Sequence, residues 1–294
     1  MRTALSCLRR GIVLFVLGLV YGGLLQGNLR VCSVLGRIGF AWMAAAWIWL
    51  AFGCRGRVVS VVLLLAGYWA LLAFVPAPDA AQVPFPPGCE QFGRGPFSPV
   101  GNISGWLDRT ILPGVIGGFK GVMDNQSVLG VVPATATALF GMMTGEYVRI
   151  SSDSGDRKIA TMLVGAAGLA AAGLLVAFGF GPLSMPISKK LWSTSFTLVV
   201  GGYSVAMFAV FYWLVDVRRL WRHTAFFRVI GVNSITIYMA QVFVPFETVS
   251  RNFLGGIASL VPEGWGAVVT WAGYTLLCWL FVFFLDRKGV HLKV

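Results

Sequence analysis

The sequence predicts an all-α protein, a polytopic transmembrane helical bundle of about eight spanning helices. Three observations carry that expectation. Hydrophobic residues make up 57% of the 294-residue chain and charged residues only 12%, roughly half the charged share of an ordinary soluble domain. Mean hydropathy is +0.79. Apolar runs close to the roughly 20 residues that a bilayer requires recur along the chain. In hydrocarbon only helices and closed barrels satisfy their own backbone groups, and runs of this length fit helices.

The expected spans lie near residues 12–25, 34–53, 58–75, 128–148, 159–180, 194–215, 226–246 and 265–285, in a single transmembrane domain over 1–294. The first is short and follows a basic start, "MRTALSCLRRGIVLFVLGLVYGGLLQG". That arrangement suits a signal peptide. Tyr21, the glycines and the lack of a small-x-small cleavage site suit a packed helix better. The second span is rich in Trp and Ala, and the third is nearly all aliphatic. The fourth carries Ser127 or Asn125 as caps, and Pro133 as a point of interruption whose freed carbonyl Thr135 and Thr137 can answer. The fifth and eighth are long apolar runs. The sixth and seventh are apolar but seeded with polar groups.

Between the third and fourth spans lies an extracytoplasmic loop, residues 76–127. Its first half is rich in Pro and Gly and reads as irregular. Its second half contains "GNISGWLDRTILPG". Ile103, Trp106, Leu107 and Ile111 fall near one helical face, with Asn102, Asp108 and Arg109 elsewhere. The expectation is a short amphipathic helix at the membrane interface.

The net charge is +12. Basic residues gather at cytoplasmic helix ends, so this excess calls for no nucleic acid, and no basic run is interleaved with aromatics as such modules require. With both termini cytoplasmic, 15 of the 23 Lys and Arg fall on the inside. The expected location is a bacterial inner membrane. The five cysteines and two histidines show no metal-ligand spacing. Cys32 and Cys89 both fall outside, where either a disulfide or two free thiols suits them. His223 and His291 read as solvated juxtamembrane residues.

Polar groups inside hydrocarbon cost several kcal/mol unless paired, so their placement carries information. In the seventh span Ser234, Tyr238 and Gln241 share one helical face. Asn233, Thr236 and Glu247 share a second. Such groups serve either as glue between helices or as a cavity wall, and so many on one helix favour the wall. Ahead of the sixth span, Lys189, Lys190, Trp192, Ser193, Thr194, Ser195 and Thr197 follow one another. Two lysines at a helix N-terminus suit an anion or a lipid headgroup equally well.

Six blocks, in order, carry a resemblance: "RRGIVLFVLGLVYGG", "LRVCSVLGRIGFAWMAAAWI", "GNISGWLDRTILPG", "DNQSVLGVVPATATALFGMMTGEY", "ISKKLWSTSFTLVVGGYSVAMFAVFYWLVDV" and "FRVIGVNSITIYMAQV". The chain resembles the heparan-α-glucosaminide N-acetyltransferase family and its bacterial relatives over nearly its whole length. The last two blocks are the most specific.

The resemblance implies a membrane acyltransferase that moves an acetyl group from acetyl-CoA, a co-substrate, to a sugar or glycan amine or hydroxyl across the bilayer, without a metal. It implies an acyl-donor cavity lined by Lys190, Trp192, Ser195, Asn233, Ser234, Tyr238 and Gln241. Asn102, Asp108, Arg109 and Asp124 fall on the loop or acceptor side. The family's catalytic histidine belongs to a motif like H-x-x-W-x-G, which this sequence lacks, so a truncated form is expected and the catalytic residue stays unassigned. A small-solute transporter and a non-catalytic membrane remnant are the competing readings. A second copy of the chain stands open as a partner.

Overall fold

A computed structural model describes residues 2–220, 224–262 and 264–292. His223, with the Arg222 and Lys293 charges used for orientation, lies outside them. The described residues are helical with no β-strand, only isolated bridges. They form two compact units, Met1–Leu220 and Trp221–Val294.

The first unit holds α1 (Arg2–Tyr21), α2 (Val34–Ala51), α3 (Cys54–Phe74), the short α4 (Ile103–Ile111), α5 (Val131–Ile150), α6 (Gly155–Phe178) and α7 (Thr194–Tyr212). The second holds α8 (Ala225–Val232), α9 (Ser234–Phe243), α10 (Phe246–Leu260) and α11 (Trp265–Arg287). Six stretches of the described residues are long and apolar enough to cross a membrane, and α8 with α9 makes a seventh if that bent pair is one span. The protein is an integral membrane protein whose partner is the lipid bilayer. Of the eight expected spans, the fourth is the one missing from this set. It corresponds to α5, which is 20 residues long but carries Thr, Gly and Glu146 among its apolar residues. It packs against α2, α3 and α7.

The first helix begins at Arg2, not at residue 12, so it is long enough to span. It packs along α2 through small residues: a Cβ on Gly39 would stand 2.7 Å from the Gly11 carbonyl oxygen. Close backbone approach of this kind is how membrane helices gain contact without a hydrophobic driving force. The pair α6 and α7 uses the same device. A Cβ on Gly202 would meet the Ala166 carbonyl oxygen at 2.5 Å.

Pro133 does not interrupt α5. It sits in the first turn, where no intrahelical partner is lost. Ser127 Oγ accepts from Gly130 N at 3.2 Å just ahead of that turn. Thr135 and Thr137 hydroxyls donate to the Val131 and Pro133 carbonyls. One core, Ala45, Val61, Leu65, Ala136 and Leu139, lies between α2, α3 and α5. A second, including Tyr68, Leu72, Ile103, Met123, Met185 and Leu191, lies under the 76–127 loop.

In the second unit the aromatic rings of Phe226, Trp279 and Phe283 stack in a row at 5.2 and 4.8 Å. Buried Ser250 donates to the Thr270 carbonyl at 2.7 Å and ties α10 to α11.

Candidate functional site

The loop residues named from sequence converge, and each is engaged in holding the loop. Asn102 caps α4 by accepting from Gly105 N at 2.6 Å and donates to the Ser98 carbonyl. Arg109 grips Asp79 through Nε and Nη2 at 2.9 and 2.6 Å, and this pairing holds the Asp79 carboxyl below its usual range. Arg109 Nη1 also donates to the Val122 carbonyl at 2.8 Å. Asp124, fully buried, accepts from Arg30 Nε and Nη2, Gly117 N and Gln126 N at 2.7–3.0 Å. The fork-on-fork geometry with Arg30 is the strong form of a charge-assisted bond.

Asp108 differs. Its two oxygens accept from Asp124 N and Val128 N, which favours the charged form. Burial outweighs those bonds and pushes its carboxyl up to about 6. The helix α4 is where the sequence places it, but its buried side is not the apolar stripe. Ser104 and Asp108 are fully buried along with Ile103, whereas Ile111 is exposed. The polar side of α4 therefore packs inward, because the loop supplies backbone N–H groups that need acceptors.

The second set lies where α7 begins. Ser193 caps α7 by accepting from Phe196 N. Ser195 spends its hydroxyl on the Met185 and Pro186 carbonyls and on Ser193 Oγ. Lys190 is exposed, its Nζ 4.5 Å above the Phe119 ring. Trp192 is held at φ +52, a left-handed conformation that costs an aromatic residue about 1–2 kcal/mol. Its ring lies under the guanidinium of Arg37, 4.6 Å from the centroid. Tyr68 donates to the Leu191 carbonyl at 2.8 Å and Thr194 to the Leu65 carbonyl at 2.9 Å. These two bonds anchor the Trp192 segment to α3. Ser104 Oγ stands beside the Tyr68 hydroxyl without completing a hydrogen bond.

The first unit thus gathers the loop set, Lys190, Trp192 and Ser195 with three residues that had not been singled out: Arg30, Arg37 and Tyr68. Arg37 carried a usable signal. It is a lone charge inside an apolar span, and such a residue marks a functional site by default. Cys32 sits beside this cluster. Burial, with the negative charges of Asp124 and Asp108, pushes its thiol up to about 12. Cys32 and Cys89 are both free.

In the second unit the seventh span is not one helix. A 65° bend separates α8 from α9, with Asn233 at the joint. The two predicted stripes therefore do not run down one helix, and Glu247 belongs to the first turn of α10. Asn233 is fully buried, Tyr238 half-buried, and Ser234 and Gln241 exposed. Asn233 Nδ2 donates to the Val229 carbonyl at 3.0 Å, and its Oδ1 stands 3.1 Å from His291 Nδ1. His291 is not solvated as expected. It is tucked in, with Nε2 3.8 Å from Asp286. No sequence spacing places residue 291 beside residue 233; the packing of α8 and α9 on α11 does.

A cavity of about 770 Å³ runs between α3, α5, α6 and α7, with Val61, Leu65, Trp69, Phe140, Met162 and Thr194 among its lining residues. Its walls are almost wholly apolar, which suits hydrocarbon. Among the described residues no group of three or more His, Cys, Asp or Glu gathers to hold a metal ion.

No protein-family model matches the chain. It is 25% identical over 278 aligned positions to the human protein named heparan-alpha-glucosaminide N-acetyltransferase, covering 81% of this chain and 41% of that protein. To the mouse protein of the same name it is 26% identical over 208 positions, covering 63% and 31%. The chain is thus distantly similar to these two proteins. It spans about two-fifths of the length of the human relative.

Proposed function

We propose that the chain is part of a membrane acetyltransferase that moves an acetyl group from acetyl-CoA to a sugar amine or hydroxyl. The observation that carries this reading is a coincidence of place. The similarity to the human protein named heparan-alpha-glucosaminide N-acetyltransferase covers 81% of the chain, and residues of four of the six blocks that carry the resemblance meet in one buried polar cluster at the start of α7. The unpaired donors there fit a ligand that presents oxygen acceptors.

In this reading acetyl-CoA supplies an activated thioester. The chain's own residues bind and orient. The Trp192 indole N–H, buried and unpaired, is a donor open to a substrate oxygen, since a buried donor left without a partner is costly. Exposed Lys190, two residues before Trp192 in the chain with its Nζ over the Phe119 ring, is a positive charge that draws an anionic substrate. Asn102, Asp108, Arg109 and Asp124 hold the loop wall in place, and their roles are positional. For Asn233, Ser234, Tyr238 and Gln241 of the second unit, contact with acetyl-CoA is proposed separately, from that unit alone. The sequence holds no H-x-x-W-x-G motif, and the group that takes the proton of the acceptor stays unassigned.

The test is transfer of labelled acetyl from acetyl-CoA to glucosamine-type acceptors. It uses the full chain and, in parallel, a version read from further upstream in the same frame. Absence of transfer by the extended version refutes the reading.

The break at Asn233 also favours a second reading, a transporter of small polar solutes, since broken spans mark substrate sites in that class. Specific thermal stabilisation by acetyl-CoA decides for the transferase; stabilisation by a transported solute alone decides for the transporter.

A further inference from the structure

Arg37 brings into the first unit a positive charge that forms no side-chain ion pair among the described residues. It is 5% exposed. Its Nη2 donates to the Asn125 carbonyl at 2.9 Å. Its Nε and Nη1 are buried without a partner among the described residues, and so is Nε1 of Trp192, the indole stacked beneath it. The neighbouring cations are matched: Arg30 pairs with Asp124 and Arg109 with Asp79. Burying a guanidinium with open donors costs several kcal/mol. A ligand that brings acceptor oxygens and one negative charge removes that cost.

We propose that Arg37 and Trp192 form a binding site for the carboxylate of a small anionic ligand, which takes the open guanidinium donors and the indole N–H.

Chemistry selects the carboxylate. Two oxygens in a plane match the fixed donor geometry of a guanidinium. The stacked indole shields one face of the cation and keeps its plane fixed. Charge selects a monoanion. Two carboxylates, Asp108 and Asp124, already act on Arg37, and of the two only Asp124 has an arginine partner of its own. A dianionic phosphate would meet more repulsion there than a carboxylate does. The tight start of α5 leaves little room as well, since a Cβ on Gly130 would stand 3.0 Å from Arg37 Nη2. This assignment does not require that the chain transfer an acetyl group.

The test is thermal unfolding of the purified full chain in detergent with sodium acetate, inorganic phosphate at pH 8, or sodium chloride at matched ionic strength. Acetate is expected to raise Tm saturably, phosphate less and chloride not at all. Arg37→Gln is expected to abolish the acetate effect. Trp192→Phe keeps a ring but loses the N–H, and is expected to raise the half-saturating acetate concentration about tenfold, the loss of one hydrogen bond to a charged group.

No saturable rise, or an equal rise in Arg37→Gln, overturns the proposal. Phosphate outperforming acetate overturns the carboxylate assignment. If Arg37→Gln does not fold, acetate-dependent fluorescence of the unaltered protein, read as the difference from Trp192→Phe, takes its place; no such difference overturns the site. Acetyl transfer is not a readout here, so absence of transfer by the extended version refutes the function proposed above and leaves this site standing if acetate binds.

Discussion

The Asp124→Asn substitution tests how the 76–127 loop is held. Asp124 is fully buried and accepts four hydrogen bonds, two from Arg30 and two from backbone N–H groups. Asparagine keeps the shape, removes the charge, and turns one acceptor oxygen into an NH₂ that faces donors. Breaking a buried ion pair costs about 3–5 kcal/mol. The Arg30 side chain is 30% exposed, so solvent screens part of the pair, and about 3 kcal/mol is the working figure. Unfolding entropy scales at roughly 2 cal/mol/K per residue, which for a chain of 294 residues makes that loss a fall of about 5 °C in Tm. The assay is thermal unfolding in detergent, run as a double-mutant cycle with Arg30→Gln. Strong coupling is expected, with the double variant less destabilised than the sum of the singles. A fall of under about 1 °C for Asp124→Asn, or additive singles, would refute the reasoning.

Three further outcomes follow from the same contacts. The Asp108 carboxyl is raised from 3.8 to about 6 by burial. Its contribution to stability is therefore fully present below pH 3.8 and is lost as pH rises through 6; Tm measured from pH 4 to 7 is expected to fall more steeply in the native chain than in Asp108→Asn. Gly202→Ala forces a methyl against the Ala166 carbonyl oxygen at 2.5 Å. It is expected to lose about 1–3 kcal/mol by overpacking, read as a lower Tm and a smaller monodisperse fraction, with Gly141→Ala, where a Cβ meets nothing within 4 Å, as the control. His291→Ala removes the 3.1 Å contact with Asn233 and is expected to speed amide hydrogen exchange in α9 while leaving α2 and α5 unchanged; equal acceleration in all three would show a general loss of stability instead.

Composition and hydropathy determined by themselves that this is an integral membrane protein made of helices, because in lipid only helices and closed barrels pair their own N–H and C=O groups and apolar runs near 20 residues fit helices. Short-range chemistry was legible too. Asn102 at the head of "ISGWLDRTI" reads as a cap, and it caps. The distant kinship was legible in six ordered blocks, since the order of rare polar residues in an apolar chain is informative.

What the sequence by itself did not determine is which polar groups meet. Helical periodicity assigned Ser234, Tyr238 and Gln241 to one wall with Asn233 beside it, and then the backbone turned by 65° at Asn233. Periodicity holds only within an unbroken helix, and nothing local announces this break. Likewise α4 was expected as a short amphipathic helix at the membrane interface, and its periodicity did not show that Asp108 is fully buried, held by backbone donors from residues 124 and 128. Arg37 against Trp192 and His291 against Asn233 are contacts across 155 and 58 residues. Pairings at that range are decided by how helices pack, and packing is a property of the tertiary structure.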